Sequence, residues 1–264
     1  MRISFLFILL GMSAQASTPL CNGSAENCIK RYDQVVYPTT HNSTAVSPGY
    51  GPHPVWFIPN QEKGVNTQLK DGIRGFMIDA HYYDGAAIRQ HRGEVWACHE
   101  SCALGGQKLV SVLSGMKKFL DENPNEVVTI IFESYVSSTS MTEQFIESGL
   151  LRYAYAQPQG AAWPTLGEMI QKNQRLVVLT DKKDQGPDWY MDVWAYAVET
   201  PYSYKSVKEF TCNFNRGVAS NSLYILNHFL TKALFRRAFA RKPNQFSRIL
   251  NRVRKCHKEK SKVP

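Results

Sequence analysis

Apolar residues in this chain recur with two periods. Leu109, Val112, Leu113, Met116 and Leu120 share one face at helical spacing and predict a helix. Asn123-Pro124 ends it, because proline lacks a donor and disfavours helix in the residue before it. Met141–Leu151 and Leu166–Lys172 predict two more helices, and residues 231–242 and 245–256 two basic amphipathic ones. Between them stand shorter, strand-like runs: Val35–Tyr37, Ile73–Ala80, Val95–Cys98, Val127–Phe132, Leu176–Leu179 and Leu223–Leu226. Val127–Phe132 is a continuous apolar run, as expected of a strand buried on both faces. The alternation of strand and helix predicts βα units around a mostly parallel sheet.

Polar residues fall where these runs end. Asn42 follows the first, Asp79 ends the second, His99 the third and Glu133 the fourth; Asp181 and His228 follow the next two. In a parallel barrel the strand ends and the loops after them build the site. Several strands therefore aim polar groups at one place. Two histidines suit proton transfer because their pKa lies near neutral. His41 and His99 can serve as base and acid when a phosphodiester is cleaved by a neighbouring hydroxyl, and the charge gathering on phosphorus needs a metal or an arginine. Asn42, Asp79 and Glu133 are hard oxygen donors of the kind Ca²⁺ or Mg²⁺ prefers. Arg74, in line with Phe76 and Ile78, reads as structural, Lys182 as solvated, and Trp163, Trp189 and Trp194 as core or rim; His81 and His91 are minor candidates.

The length of 264 residues suits a single α/β barrel, a fold of about 250 residues. The first residues read as a secretory signal: Arg2, an apolar stretch Ile3–Leu10 and a small-x-small site at Ala14-Gln15-Ala16. That stretch is too short to span a bilayer, which takes about 20 residues. The expected organisation is a leader over 1–16 and one domain over 17–264, soluble and exported, secreted or periplasmic. Six cysteines come after the leader: Cys21, Cys28, Cys98, Cys102, Cys212 and Cys256. An even count in an exported chain points to disulfides, with 15 possible pairings. Local pairs Cys21–Cys28 and Cys98–Cys102 are favoured, leaving Cys212 with Cys256. Zinc at Cys98, His99 and Cys102 is the rival, and it lacks an evident fourth ligand. The net charge of +9 is uneven: Lys232–Lys262 carries twelve Lys and Arg against Glu259, leaving the rest slightly acidic. Such an end is either a solvated helix or a contact for anionic lipid, and export argues against nucleic acid as a partner.

The segments Thr40-His41-Asn42-Ser43, Gly72–Asp79, Ala97-Cys98-His99-Glu100 and Ile130–Val136 resemble, in order and spacing, the X-domain of phosphatidylinositol-specific phospholipases C, most closely its secreted branch. Asn66–Leu69, Phe119–Pro124, Trp163–Leu166 and Leu226–Phe229 extend the resemblance over roughly Val35–Cys256. It implies a (β/α)₈-type barrel and a phospholipid phosphodiesterase, with His41 and His99 as the catalytic pair and Asn42, Asp79 and Glu133 at a Ca²⁺ (or Mg²⁺) site. Relatives that use metal carry a further acid two residues before Asp79, where this chain has Met77. Relatives also continue with an apolar strand that completes the barrel, so the last strand is expected to be missing or replaced. Other readings are a barrel that binds anionic lipid without turnover, and a phosphodiesterase acting on sphingomyelin or a glycerophosphodiester.

Overall fold

The strand-like runs form a twisted sheet whose one edge explains where the polar residues meet. The computed structural model describes residues 19–46, 59–84, 90–182, 184, 186–231 and 240–264. The expected leader and most of the expected helix over 231–242 lie outside the described residues. The strands are β1 (Thr39–Thr40), β2 (Gly75–Tyr82), β3 (Val95–Ala97), β4 (Gln107–Lys108), β5 (Val128–Ser134), β6 (Ala154–Tyr155), β7 (Leu176–Thr180), β8 (Tyr190–Asp192), β9 (Ala197–Glu199) and β10 (Leu223–Ile225). The helices are α1 (Ala25–Cys28), α2 (Val65–Lys70), α3 (Leu109–Glu122), α4 (Ser138–Glu147), α5 (Leu166–Gln171), α6 (Val193–Tyr196) and α7 (Phe246–Lys260).

The main sheet runs β4-β3-β2-β5-β7-β6, with β1 also on β2 and β8 also on β7; β9 and β10 form a separate parallel pair. The fold is thus mixed α/β around a largely parallel sheet. The described strands do not close into a hydrogen-bonded barrel, since the ladder stops at β8 and resumes at β9 beyond the short helix α6.

Two expectations need correction, and the favoured cysteine pairing holds. Val35–Tyr37 is not the first strand; pairing begins at Thr39, after Pro38, whose carbonyl takes the N–H groups of Arg74 and Gly75. The Val95–Ala97 strand runs antiparallel to β2, so His99 does not leave a parallel strand end. Zinc is excluded at Cys98 and Cys102, because these two form a disulfide, as do Cys21–Cys28 and Cys212–Cys256.

Alternation along the strands sorts the two faces. Phe76, Ile78 and Ala80 of β2 and Val128, Ile130 and Phe132 of β5 pack against Leu109, Val112, Leu113, Met116 and Leu120 of α3. Each fully buried side chain of this size contributes about 1.5–3 kcal/mol. Met77 and Asp79, Ile131 and Glu133, and Val177 and Leu179 lie on the opposite face. Below the polar ends that face is filled by a second core containing Tyr32, Trp163, Val177 and Leu179. Tyr32 is bonded to Thr129 Oγ1 at 2.6 Å and packs on Trp163. The interior is therefore plugged at the strand starts and polar at the strand ends.

Candidate active site

One edge of β2 carries two strands end to end. β1 rises along it and pairs with Gly75 and Phe76. β3 descends along it and pairs with Ala80–Tyr82. The turn after β1 and the loop after β3 meet in the gap, at the level of Asp79. Gly75 makes the lower half possible: a Cβ there would lie 2.1 Å from Thr39 Oγ1. The turn after β1 is fastened by buried Gln68, which accepts from Thr40 Oγ1 at 2.7 Å and donates to the Ser43 carbonyl at 2.8 Å. Gln61 holds the His41 carbonyl at 2.6 Å. Asn42 has left-handed backbone, φ 49°, which asparagine tolerates better than most residues.

From above, the Cys98 N–H bonds the Asp79 carbonyl at 3.1 Å, and the Cys98–Cys102 disulfide closes the loop carrying His99. His99 Nδ1 lies 3.2 Å from Asp79 Oδ2, and the Asn42 carboxamide lies 3.1 Å from the same ring atom. The bond to Asp79 raises the His99 pKa against the opposing effect of burial. His41 behaves in the opposite way. Its ring stacks on Phe229 at 4.0 Å and 16°. Burial first, and the charge of His99 second, push its pKa down to about 4. The two imidazoles therefore sit within electrostatic reach of each other, one neutral and one inclined to keep its proton.

Asp79 and Glu133 face each other across the β2–β5 ladder, and Asp181 comes just after β7, next to them. Burial raises the Asp79 pKa; the His99 bond opposes this and the Glu133 charge adds to it. Glu133 accepts the hydroxyl of Tyr135. The Tyr135 ring stacks on His81 at 4.3 Å, and Lys182 Nζ lies 3.8 Å from its centroid. Lys182, expected in a solvated loop, thus sits beside the site. His91 does not: it pairs with Glu94 at 2.9 Å and packs near Trp96. His228 braces the loop after β10, its Nε2–H donating to the Pro243 carbonyl and its Nδ1 facing Arg252. Arg74 is structural as expected, bonded to Glu126 at 2.6 Å. Trp163 and Trp189 belong to the cores, while Trp194 lies against Arg216. Tyr135, Phe229 and Arg216 were not expected from the sequence. Tyr135 alone had a signal, two residues beyond Glu133 and so on the same strand face.

Asn42, Asp79 and Glu133 suit a hard cation in part. Two like-charged carboxylates stand at one level and gain from a counter-charge, as the upward push of Glu133 on Asp79 indicates. Among the described residues no three His, Cys, Asp or Glu come close enough to enclose an ion. Such a donor pair fits an ion that keeps water and substrate oxygens, as Mg²⁺ commonly does and Ca²⁺ can.

Known proteins similar to this chain identify its family. The PI-PLC X family model matches residues 27–264, and the chain belongs to that family. It is 30% identical over 229 residues to an uncharacterized secreted protein of Arthroderma benhamiae, covering 81% of this chain and 48% of that one. It is 28% identical over 153 residues to a 1-phosphatidylinositol phosphodiesterase of Staphylococcus aureus (strain Newman), covering 56% of this chain and 46% of that one. The chain thus spans less than half the length of these relatives. Among solved structures it resembles a calcium-dependent phosphoinositol-specific phospholipase C from a Pseudomonas species, with TM-score 0.44, 12% identity and 63% of each chain covered.

Proposed function

We propose that this chain is an exported phosphodiesterase that cleaves a phosphatidylinositol-like lipid by acid–base catalysis. The observation that carries the reading is two histidines brought to one place in opposite settings, His41 buried against Phe229 with its pKa lowered to about 4 and His99 bonded to Asp79 with its pKa raised. Family membership and the name of the staphylococcal relative support the substrate class. Three intramolecular disulfides, a relative named as secreted, and the lack of a helix long and apolar enough to cross a membrane among the described residues fit the export reading.

In this reading a headgroup hydroxyl next to the phosphodiester is the nucleophile. His41 takes its proton as the oxygen–phosphorus bond forms. His99 gives its proton to the lipid oxygen as the second phosphorus–oxygen bond breaks, leaving a cyclic phosphodiester and a diacylglycerol-type alcohol. The substrate's own negative charge raises the His41 pKa towards the working pH. Asp79 orients His99 and stabilises its imidazolium. Asn42, Asp79 and Glu133 would hold a divalent cation, which when bound supplies charge neutralisation at the phosphoryl oxygens. The closed (β/α)₈ form belongs to the same reading, with the stack of Phe229 on His41 bringing the loop after β10 against the turn after β1. The basic helix α7 is read as a contact for anionic lipid.

The test is release of a water-soluble phosphate ester from phosphatidylinositol vesicles by the mature protein, with Ca²⁺ and with chelator. Release is expected, and His41→Ala is expected to abolish it with the fold intact; turnover by that variant would overturn the assignment. Release that survives chelator keeps the histidines and removes the cation. A second reading, a lipid-binding barrel without turnover, is favoured by Met77 standing where a third acid is expected. It calls for vesicle binding that weakens as salt rises, with no ester released.

A further inference from the structure

The wall formed by β9 and β10 carries an arginine built like a receptor. Arg216 donates through Nε to Glu199, whose side chain is 4% exposed. The other carboxylate oxygen of Glu199 accepts from Asn227 Nδ2 at 2.9 Å. The guanidinium carbon lies 4.4 Å from the ring of Trp194 and 4.4 Å from that of Tyr202. Position is fixed by the backbone as well. The Glu199 N–H donates to the Arg216 carbonyl at 3.0 Å, and Gly217 comes next with φ 82°. A Cβ at Gly217 would lie 2.1 Å from the Ala197 carbonyl, so only glycine lets this segment press against β9. The Arg216 side chain stays 47% exposed, and its terminal nitrogens make no hydrogen bond among the described residues. Its charge acts on Asp181, the residue after β7.

A surface ion pair needs neither two rings nor a buried carboxylate. Here a planar fork is ordered in advance and its outer donors are left for a ligand. Guanidinium forks match two oxygens of a phosphate, and prior ordering reduces the entropy lost on binding. We propose that Arg216, clamped by Trp194 and Tyr202 and anchored on Glu199, binds a phosphate oxyanion of the substrate. This rests on the phosphodiesterase reading for the word substrate, though not for the anion site itself. Two sources share the chemistry: the phosphodiester being cleaved, and a phosphate monoester elsewhere on the headgroup.

Binding of inorganic phosphate to the full mature protein is read from the fluorescence of Trp194, with Trp194→Phe locating the signal. Arg216→Lys keeps a cation for Glu199 and loses the fork; Arg216→Gln loses both. Tyr202→Ala removes one ring from outside the fold. Phosphate affinity is expected to fall at least about tenfold in Arg216→Lys and Arg216→Gln and several-fold in Tyr202→Ala, with melting of Arg216→Lys and Tyr202→Ala little changed. Unchanged affinity in a folded Arg216→Lys protein overturns the proposal and leaves the arginine as a counter-ion for Glu199. Turnover separates the sources. A fall in kcat on phosphatidylinositol assigns the cleaved diester. Unchanged turnover there, with a lost preference for phosphatidylinositol phosphate, assigns the second phosphate. Phosphate binding through Arg216 without hydrolysis of any phosphoinositide keeps the subsite and removes the substrate reading.

Discussion

At the scale of single residues, the site turns on where two protons reside. His41 must be neutral to act as base, so activity is lost as pH falls through its pKa, about 4 in the free protein. His99 must be protonated to act as acid, so activity is lost as pH rises through a pKa above the ordinary 6.5. Asp79→Asn removes the charge that favours the imidazolium, and the alkaline limb of kcat/KM is expected to move to lower pH. Phe229→Ala opens the His41 ring to water and lifts the desolvation that depresses its pKa, so the acid limb is expected to move to higher pH. Both shifts are read from kcat/KM against pH on a short-chain soluble substrate. Limbs that stay in place in both variants would refute the assignment of roles. Asp79, His99 and Glu133 were legible as candidates because each stands at or just beyond the end of an apolar run, where a polar group needs a partner, and His41 and Asn42 through the resemblance carried by Thr40-His41-Asn42-Ser43. Phe229 was not, since an aromatic beside His228 reads as core until the fold brings it onto His41. Arg216 gave no signal either, because its meaning depends on Glu199, Trp194 and Tyr202, which are distant in sequence.

At the scale of elements, the site depends on β1 and β3 sharing one edge of β2. Gly75→Ala drives a methyl into Thr39 and pushes β1 off that edge. Overpacking of this kind costs about 1–3 kcal/mol, and the His41–Asn42 turn moves with the strand. The expected result is a modest fall in melting temperature with a disproportionate loss of turnover, and equal losses would show that β1 does not set the His41 position. Removing the Cys98–Cys102 link, Cys98→Ala with Cys102→Ala, tests the descending strand in the same way. Its short loop contributes about 2 kcal/mol by chain entropy, while its loss frees His99 from Asp79. The long helix α3 was legible almost to the residue, since five apolar positions at helical spacing leave little choice. β4, β6, β8 and β9 span only two or three residues each, too few for periodicity to register. The antiparallel course of β3 was hidden for another reason: direction is set by how the chain returns from β2, and no local pattern encodes it.

At the scale of the whole molecule, α7 takes part in the architecture as well as in the charge distribution. Arg252, buried, donates to the carbonyls of Asn227 and Thr211 at 2.6 and 2.8 Å and faces His228, so α7 holds the loop that carries Phe229 onto His41. The Cys212–Cys256 disulfide joins the same helix to the segment between β9 and β10 across 44 residues. By loop-closure entropy a link of that length contributes about 4 kcal/mol, twice the value for the short loop at His99. Its cysteines pack with Val198 and Tyr224, so the helix covers the outer side of the β9–β10 pair that the main sheet leaves unladdered. The sequence showed a basic amphipathic helix here and left open whether it was a solvated end; the buried arginine and the disulfide make it part of the body. Cys212→Ala with Cys256→Ala is therefore expected to lower stability by about 4 kcal/mol, seen as a lower denaturation midpoint, and to loosen Phe229 from His41. Where the variant is still folded, its acid limb should move to higher pH, as for Phe229→Ala, because the same ring is exposed by a change made far from it. A variant that loses stability and keeps the wild-type acid limb would show that α7 supports the fold without reaching the site.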